Sequence, residues 1–330
     1  MNAPTEYKLP FDPEKIFTIE SEEEFDELTL QVFRYQVYRN PVYKAFCRHV
    51  HVDIRTIDHY RKIPFLPISF FKTHRVTTFD HPAEAIFKSS GTTGMQRSEH
   101  HIKDLSIYEQ SFMRGFQLFY GSLEDYIIIG LLPSYLEQGS SSLVYMVNHL
   151  IQASGHTASG FFLNDYEQLN DVLKQSADRK VILIGVAYAL LDFGEAFHPR
   201  FPNLTIIETG GMKGRRKELI KADLHERLKK LYHLPEIHSE YGMTELLSQA
   251  YSVGLQFKSP PWMRVLTRSH TDPFQRVLKK TGGINVIDLA NIHSCSFIAT
   301  QDLGKTSGDQ FEIMGRFDQA DVRGCNLLVQ

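Results

Sequence analysis

Apolar residues recur at helical spacing near the start of the chain. Phe25, Leu28, Val32 and Tyr35 follow the capping pair Ser21 and Glu24, and Asn40-Pro41 stops the run. Residues 1–62 are therefore expected to be largely helical. The next stretch, 63–76, holds Pro64 and Pro67, each without an amide donor, so it is not one continuous helix. From about residue 85 the pattern becomes an alternation. Short β-branched or apolar runs at 126–132, 181–186 and 204–208 are separated by helical periodicities at 104–120, 140–153, 165–175, 188–197 and 213–234. Strands alternating with helices predict an α/β fold with largely parallel sheets flanked by helices. Toward the end, 284–288, 294–299 and 311–314 read as short strands between Gly and Asp turns, a β-rich C-terminal lobe. No repeat or low-complexity linker interrupts the chain. The helical part (1–62), the α/β part (63–283) and the β-rich lobe and tail (284–330) are thus expected to form a single core.

Composition narrows the class. With 330 residues, 42% of them hydrophobic and 23% charged, the chain has material for a large core and is not a disordered one. Thirty-six basic and 39 acidic residues leave a net charge of −3, which gives no electrostatic grip on nucleic acid or anionic lipid. The longest apolar stretches, 126–132 and 181–191, fall short of the ~20 residues that span a bilayer. The N-terminus lacks the basic-then-apolar order of a secretory signal. Cys47, Cys295 and Cys325 are too few and too scattered for a disulfide framework, so a reducing cytoplasm is expected.

Candidate chemistry begins after the run at 85–88 with Ser89-Ser90-Gly91-Thr92-Thr93-Gly94. Hydroxyls bury poorly without partners, whereas glycines allow close backbone approach, and amides with hydroxyls can surround phosphate oxygens. A solvated turn would use the same residues. The P-loop pattern does not fit, because Gly91 and Gly94 are only three apart and no lysine follows. Thr209-Gly210-Gly211-Met212 closes a strand and opens a helix: either a surface for a flat purine or a tight turn. In Tyr241-Gly242-Met243-Thr244-Glu245 the aromatic can cover a base, Thr244 can donate to a phosphate and Glu245 can hold Mg²⁺. Thr244 also reads as the N-cap of a helix through Ala250. Asp302, at the end of a strand candidate, can accept ribose hydroxyls. Gly315-Arg316-Phe317-Asp318 and Arg323-Gly324-Cys325-Asn326 follow.

In this order, SSGTTG, GG, YGMTE, Asp-Leu-Gly, GRFD and RG resemble the adenylate-forming superfamily of acyl-CoA synthetases and adenylation domains. The resemblance runs from about Ile63 to Gln330. Within the superfamily, the segments IPFLPISFFK and RGCNLL are most similar to the acyl-protein synthetases of bacterial bioluminescence, with phenylacetate-CoA ligase a more distant likeness. The resemblance implies carboxylate activation by ATP and Mg²⁺. Ser89, Ser90, Gly91, Thr92, Thr93 and Gly94 would close on the β,γ-phosphates, Gly210 and Gly211 would lie by the adenine, and Tyr241, beside Gly242, would stack on it. Thr244 would touch the α-phosphate, Glu245 would bind Mg²⁺, Asp302 the ribose, and Arg316 the ribose or phosphate.

Two departures qualify the likeness. Gln96-Arg97 stands where Pro-Lys usually follows the phosphate loop, and larger relatives continue into a lid domain carrying a catalytic lysine. The implied fold is thus the superfamily core without its C-terminal lid. Lys72, Lys88, Arg97 and Lys213 are candidates for the missing cation.

The same resemblance makes Cys325 the acceptor of the acyl group, which would pass to an acyl-reductase or acyl-carrier partner. A thiol beside Arg323 is open to a lowered pKa, and equally Cys325 is a small hydrophobe among Leu327, Leu328 and Val329. Two other readings stay open: an acyl- or aryl-CoA ligase, and a degenerate, non-catalytic nucleotide-binding subunit. Cys47, His49, His51 and Asp53 lie on a strand-like stretch where alternate side chains diverge too little to wrap a metal. His100 and His101 are expected at the surface, residues 213–230 as a basic amphipathic surface helix, and Trp262 beside a cleft. Tyr135, His149, Phe161 and Phe162 are candidates for an acyl tunnel.

Overall fold

The alternating half of the chain folds as a parallel sheet covered by helices. The computed structural model describes residues 8–90, 96–133, 139–163, 165–210, 219–269 and 271–317. Helices are α1 (Glu22–Arg39), α2 (Pro41–His49), α3 (Phe70–Thr73), α4 (Leu105–Tyr120), α5 (Ser142–Ser154), α6 (Tyr166–Gln175), α7 (Ala187–Phe197) and α8 (Lys221–Tyr232). Strands β1 (Leu66–Pro67), β2 (Ala85–Lys88), β3 (Glu99–Ile102), β4 (Tyr126–Leu131), β5 (Gly160–Phe161), β6 (Lys180–Gly185) and β7 (Leu204–Glu208) come first in the chain. They are followed by β8 (His238–Tyr241), β9 (Ala250–Val253), β10 (Gln256–Lys258), β11 (Met263–Arg268), β12 (Gly282–Asp288), β13 (Phe297–Ser307) and β14 (Gln310–Arg316).

Twelve strands form one sheet in the order β11-β12-β13-β14-β10-β9-β8-β7-β6-β4-β5, with β1 beside β13; β2 and β3 make a separate hairpin. Along this order every pairing from β5 through β8 is parallel and every pairing from β8 to β11 antiparallel, while the added β1 runs parallel to β13. The parallel strands are near-continuous apolar runs because helices cover both faces, and Ile128, Ile129, Ile182, Leu183, Ile206 and Ile207 are fully buried. Strand β8 is the junction between the two regimes. The carboxyl ends of β7 and β8 therefore open onto the antiparallel half, the place where such sheets bind ligands.

Asn40 ends α1 and starts α2. Its amide donates to Gln36 O at 2.8 Å, and its Oδ1 accepts from Val42 and Tyr43, both at 3.0 Å. The helical opening docks on the β12–β13 connection through buried Gln36, which donates to Asn291 O (2.8 Å) and Ser296 Oγ (3.0 Å) and accepts from Ser296 N (2.9 Å). Among the described residues no helix is long and apolar enough to cross a membrane.

Several local expectations change. Thr244 caps no helix: residues 242–249 form turns, because buried Asp288 takes the amides of Leu247 (2.7 Å) and Ser248 (3.0 Å) and the Ser248 hydroxyl (2.5 Å). Asn291 Nδ2 also donates to Glu245 O at 2.8 Å, so a helical turn has lost its own bonding groups. Asp302 lies inside the eleven-residue β13, not at a strand end. Cys47 and His49 close helix α2, and His51 has φ 55°, so 47–53 is not a strand. Helix α8 begins at Lys221, and residues 211–218 lie outside the described residues.

Candidate functional site

One cavity of about 710 Å³ is walled by segments far apart in sequence. Ser89 and Ser90 enter from the end of β2, Gly210 from the end of β7, and Tyr241 to Glu245 from β8 and its turn. Asp302 and Arg316 enter from the β13–β14 hairpin, and Lys72 from α3. Gly91, Thr92, Thr93, Gly94, Gly211 and Cys325, with Tyr135 and Lys213, lie outside the described residues.

The base of the hydroxyl-rich segment and the Tyr-Gly-Met-Thr-Glu turn are linked through Ser98. Ser89 N donates to Ser98 O at 3.0 Å and Ser98 N returns a bond to Ser89 Oγ at 2.9 Å, which locks the base of the β2–β3 hairpin. Burial pushes the Glu245 carboxyl up from its ordinary range, while Ser98 as hydrogen-bond partner and the charges of Lys72 and Arg316 pull the other way. His100 Nδ1 donates to the Thr244 carbonyl at 2.8 Å. His100 is thus buried against Phe71 rather than at the surface, and burial pushes its pKa down to about 4, leaving it neutral.

Across the cavity the Tyr241 hydroxyl donates to Asp302 Oδ2 at 2.8 Å, and its ring packs edge-on against Phe311 at 5.5 Å. Asp302 and Arg316 face each other in the β13–β14 register, and Arg316 donates to Gln301 Oε1 at 2.9 Å. Beneath them buried Arg268 donates to Thr300 O, Ile284 O and Asn285 Oδ1 at 2.5 to 2.7 Å, so the strand that carries Asp302 rests on a guanidinium.

Gly210 adopts φ +73°, a conformation that favours glycine, and its amide donates to Glu208 Oε2 at 2.8 Å. The other oxygen of this buried carboxylate pairs with Lys221, accepts from Ser239 Oγ at 2.5 Å and lies 3.4 Å from His225 Nε2. Burial pushes Glu208 up, but Lys221 and these hydrogen bonds outweigh it and hold the carboxyl below its ordinary range. Glu208 thereby clasps Gly210 and Lys221, the flanks of the segment between β7 and α8.

Sequence reasoning missed Glu208, Lys221 and Glu240, all of which line the cavity. For Glu208 the one local sign was a charged residue closing an apolar strand; Lys221 opens α8 and Glu240 lies in a polar strand, so neither had one. Of the candidate cations, Lys72 lines the cavity, Lys88 pairs with Glu99 at 2.8 Å, and Arg97 is exposed and outside the wall. His149, Phe161 and Phe162 are not on the wall either. Trp262 is buried away from it, donating to Ser111 and Ser248. Among the described residues no three His, Cys, Asp or Glu side chains gather as a metal-holding group.

Comparison with known proteins gives a consistent picture. The sequence model of a family described as acyl-protein synthetase, LuxE, matches residues 9–330. The long-chain-fatty-acid–luciferin-component ligase of Aliivibrio fischeri is 25% identical, the match covering 93% of this chain and 88% of that protein. Among solved structures, 2-hydroxyisobutyryl-CoA ligase in its postadenylation state superposes with a TM-score of 0.66 at 13% identity, covering 96% of this chain and 74% of that one. ATP-bound MatB from Rhodopseudomonas palustris superposes with a TM-score of 0.53 at 19% identity, covering 72% and 49%. At these identities the structures establish a shared fold, that of adenylate-forming ligases.

Proposed function

Because the chain belongs to the acyl-protein synthetase LuxE family, we propose that it activates a carboxylic acid, a fatty acid foremost, with ATP and passes the acyl group to a protein thiol. What carries this reading is the convergence of Ser89, Ser90, Gly210, Tyr241, Thr244, Glu245, Asp302 and Arg316 on one cavity large enough for a nucleotide. In this reading Ser89 and Ser90, continuing into Gly91, Thr92, Thr93 and Gly94, cradle the β,γ-phosphates, and Thr244 donates to the α-phosphate. Gly210, Gly211 and Tyr241 border the adenine. Asp302, oriented by the Tyr241 hydroxyl, accepts from the ribose.

The residues present suit Mg²⁺. Glu245 offers one mostly buried carboxyl whose burial cost a cation would offset by holding it as the carboxylate, and Mg²⁺ takes few protein ligands beside waters and phosphate oxygens. An ion there would supply neutralisation of phosphate charge. Lys72 and Arg316 add fixed positive charge at the same wall.

A carboxylate oxygen of the acid attacks the α-phosphorus. The new O–P bond forms as the bridging P–O bond breaks, yielding acyl-adenylate and pyrophosphate. The acceptor thiol then loses its proton to solvent, its sulfur bonds to the acyl carbon, and AMP leaves. Among the three cysteines, burial pushes Cys47 up to about 12 and Cys295 further, so neither is a thiolate near neutral pH. Cys325 is the remaining thiol, and an acyl-reductase or acyl-carrier protein is the partner that would take the acyl group onward.

ATP–pyrophosphate exchange with a panel of fatty and aromatic acids tests the reading. Exchange should appear with some acids and fall by about 100-fold or more in Thr244→Ala, the scale of losing a transition-state donor. Absence of exchange with every acid sinks it. Cys325→Ser should keep exchange and lose covalently bound radiolabelled acid, whereas release of acyl-CoA on adding CoA would point to a CoA ligase.

A further inference from the structure

Helix α3 is braced between two walls of the cavity. β1 pairs in parallel with β13, and Ile68 N donates to Ala299 O at 3.0 Å. The chain thus enters α3 beside the strand whose Thr300, Gln301 and Asp302 line the cavity. On the other side buried Phe71 packs edge-on against His100 at 5.6 Å, and His100 holds the Thr244 carbonyl. Between these anchors Ser69, at the N-cap of α3, and Lys72, three residues on, both line the cavity.

Among the described residues three cationic side chains line the cavity: Lys72, Lys221 and Arg316. Lys221 is committed to buried Glu208, while Arg316 donates to Gln301 and stands opposite Asp302 in the hairpin register. The Lys72 ammonium differs, because no hydrogen bond or ion pair to a described residue holds it. Its charge still reaches Glu245 and favours the ionised carboxyl. The two interact without pairing, a spacing that suits an anion carrying Mg²⁺ between them. The Ser69 hydroxyl caps nothing in α3. An ammonium with three donors and a hydroxyl thus share a wall with Ser89, Ser90 and Thr244.

We propose that Lys72 is a catalytic residue whose ammonium donates to the pyrophosphate end of ATP, an inference that rests on the acid-activating reading of the cavity. When the acid oxygen bonds to the α-phosphorus, the bridging P–O bond breaks and its electron pair stays on the departing pyrophosphate. No proton moves in this step, so cations already in place must meet the new charge. Lys221 and Arg316 each answer a carboxylate on the wall; Lys72 has its donors free for the phosphates. Ser69 adds a neutral donor beside it. AMP, which lacks the β- and γ-phosphates, offers Lys72 no such contact.

The test is calorimetric titration of the full chain, with Mg²⁺ present, by ATP, inorganic pyrophosphate and AMP. In Lys72→Met, which keeps an unbranched stem and removes the charge, affinity for ATP and pyrophosphate should fall about tenfold or more, the scale of losing one charged hydrogen bond. Affinity for AMP should not change, which also shows that the variant is folded. The kcat of ATP–pyrophosphate exchange should fall by about 100-fold, as on losing a transition-state donor. Lys72→Arg restores the charge and should recover most of that loss. An equal loss of AMP affinity, unchanged affinity for ATP and pyrophosphate, or an arginine variant no better than the methionine one overturns the proposal. Exchange assays separate the two ideas. No exchange with any acid, beside a preference for ATP over AMP that vanishes in Lys72→Met, keeps the phosphate contact and removes acid activation. Exchange that Lys72→Met leaves intact does the reverse.

Discussion

Asp288 shows what a single buried side chain decides. It accepts from Leu247 N, Ser248 N, Ser248 Oγ and Ala290 N, and burial pushes its carboxyl up while those four bonds hold it down. Asp288→Ala would orphan three buried amides at once. Stability should fall by roughly 3 kcal/mol, since each unmet buried donor costs about 1–3 kcal/mol and waters recover part of it. Urea denaturation checks this, and a loss below about 1 kcal/mol would show that the Glu245 turn holds without Asp288. At this scale the sequence was partly legible. Glu245 and Asp302 stood out beside glycines and hydroxyls. Glu208, Glu240 and Asp288 did not, because nothing local says that a carboxylate within a strand will be buried; most partners of Glu208 and Asp288 come from elements 13 to 41 residues away.

Among the elements, the long apolar runs were readable because β4, β6 and β7 are buried on both faces, α4 to α6 show one apolar stripe each, and α7 is apolar nearly all round. Strand β8, with the sequence His-Ser-Glu-Tyr, was not. It is a strand because β7 and β9 bracket it, and no periodicity of its own announces that. Strands β9 and β10 were missed for the same reason, and β11, at the sheet edge, follows from its pairing with β12. The β13–β14 hairpin depends on close approach at a bulge: a methyl on Gly304 would collide with the Glu312 carbonyl and lie 2.8 Å from Ile284 Cδ1. Gly304→Ala should therefore destabilise the protein by about 1–3 kcal/mol, the range for overpacking. Because Asp302 and Arg316, which the proposed reading sets against the nucleotide, sit on the same hairpin, that reading expects the KM for ATP to rise several-fold while the KM for the acid changes little. An unchanged ATP KM in a measurably destabilised variant would separate the hairpin from nucleotide binding.

Buried ionisable groups give the whole molecule a pH profile whose two limbs have different owners. His100 and His293 are each pushed down from 6.5 to about 4 by burial, so the unfolded chain binds more protons than the folded one over that window. Their stabilisation is complete above pH 6.5 and is lost as the pH falls. Glu208, held below its ordinary range, adds to the loss at the acid end. Glu240 acts with the opposite sign. Its folded carboxyl sits at about 8 against an ordinary 4.5, so the folded state binds the extra proton and stability declines as pH rises between those values. Below pH 6.5 the two histidines outweigh it, and above 6.5 Glu240 shares the alkaline limb only with carboxyls that burial also raises, those of Glu245 and Asp288. The melting temperature should therefore peak near pH 6.5. Between there and pH 8 stability should fall by roughly 1–2 kcal/mol, trimmed because the cavity keeps water against one side of the carboxyl. Glu240→Gln removes the proton that is lost, so its alkaline limb should flatten while its acid limb is unchanged. Calorimetric melting of both proteins from pH 5 to 8.5 decides the matter: parallel curves would mean that Glu240 is ionised in the folded protein and would place the alkaline limb elsewhere.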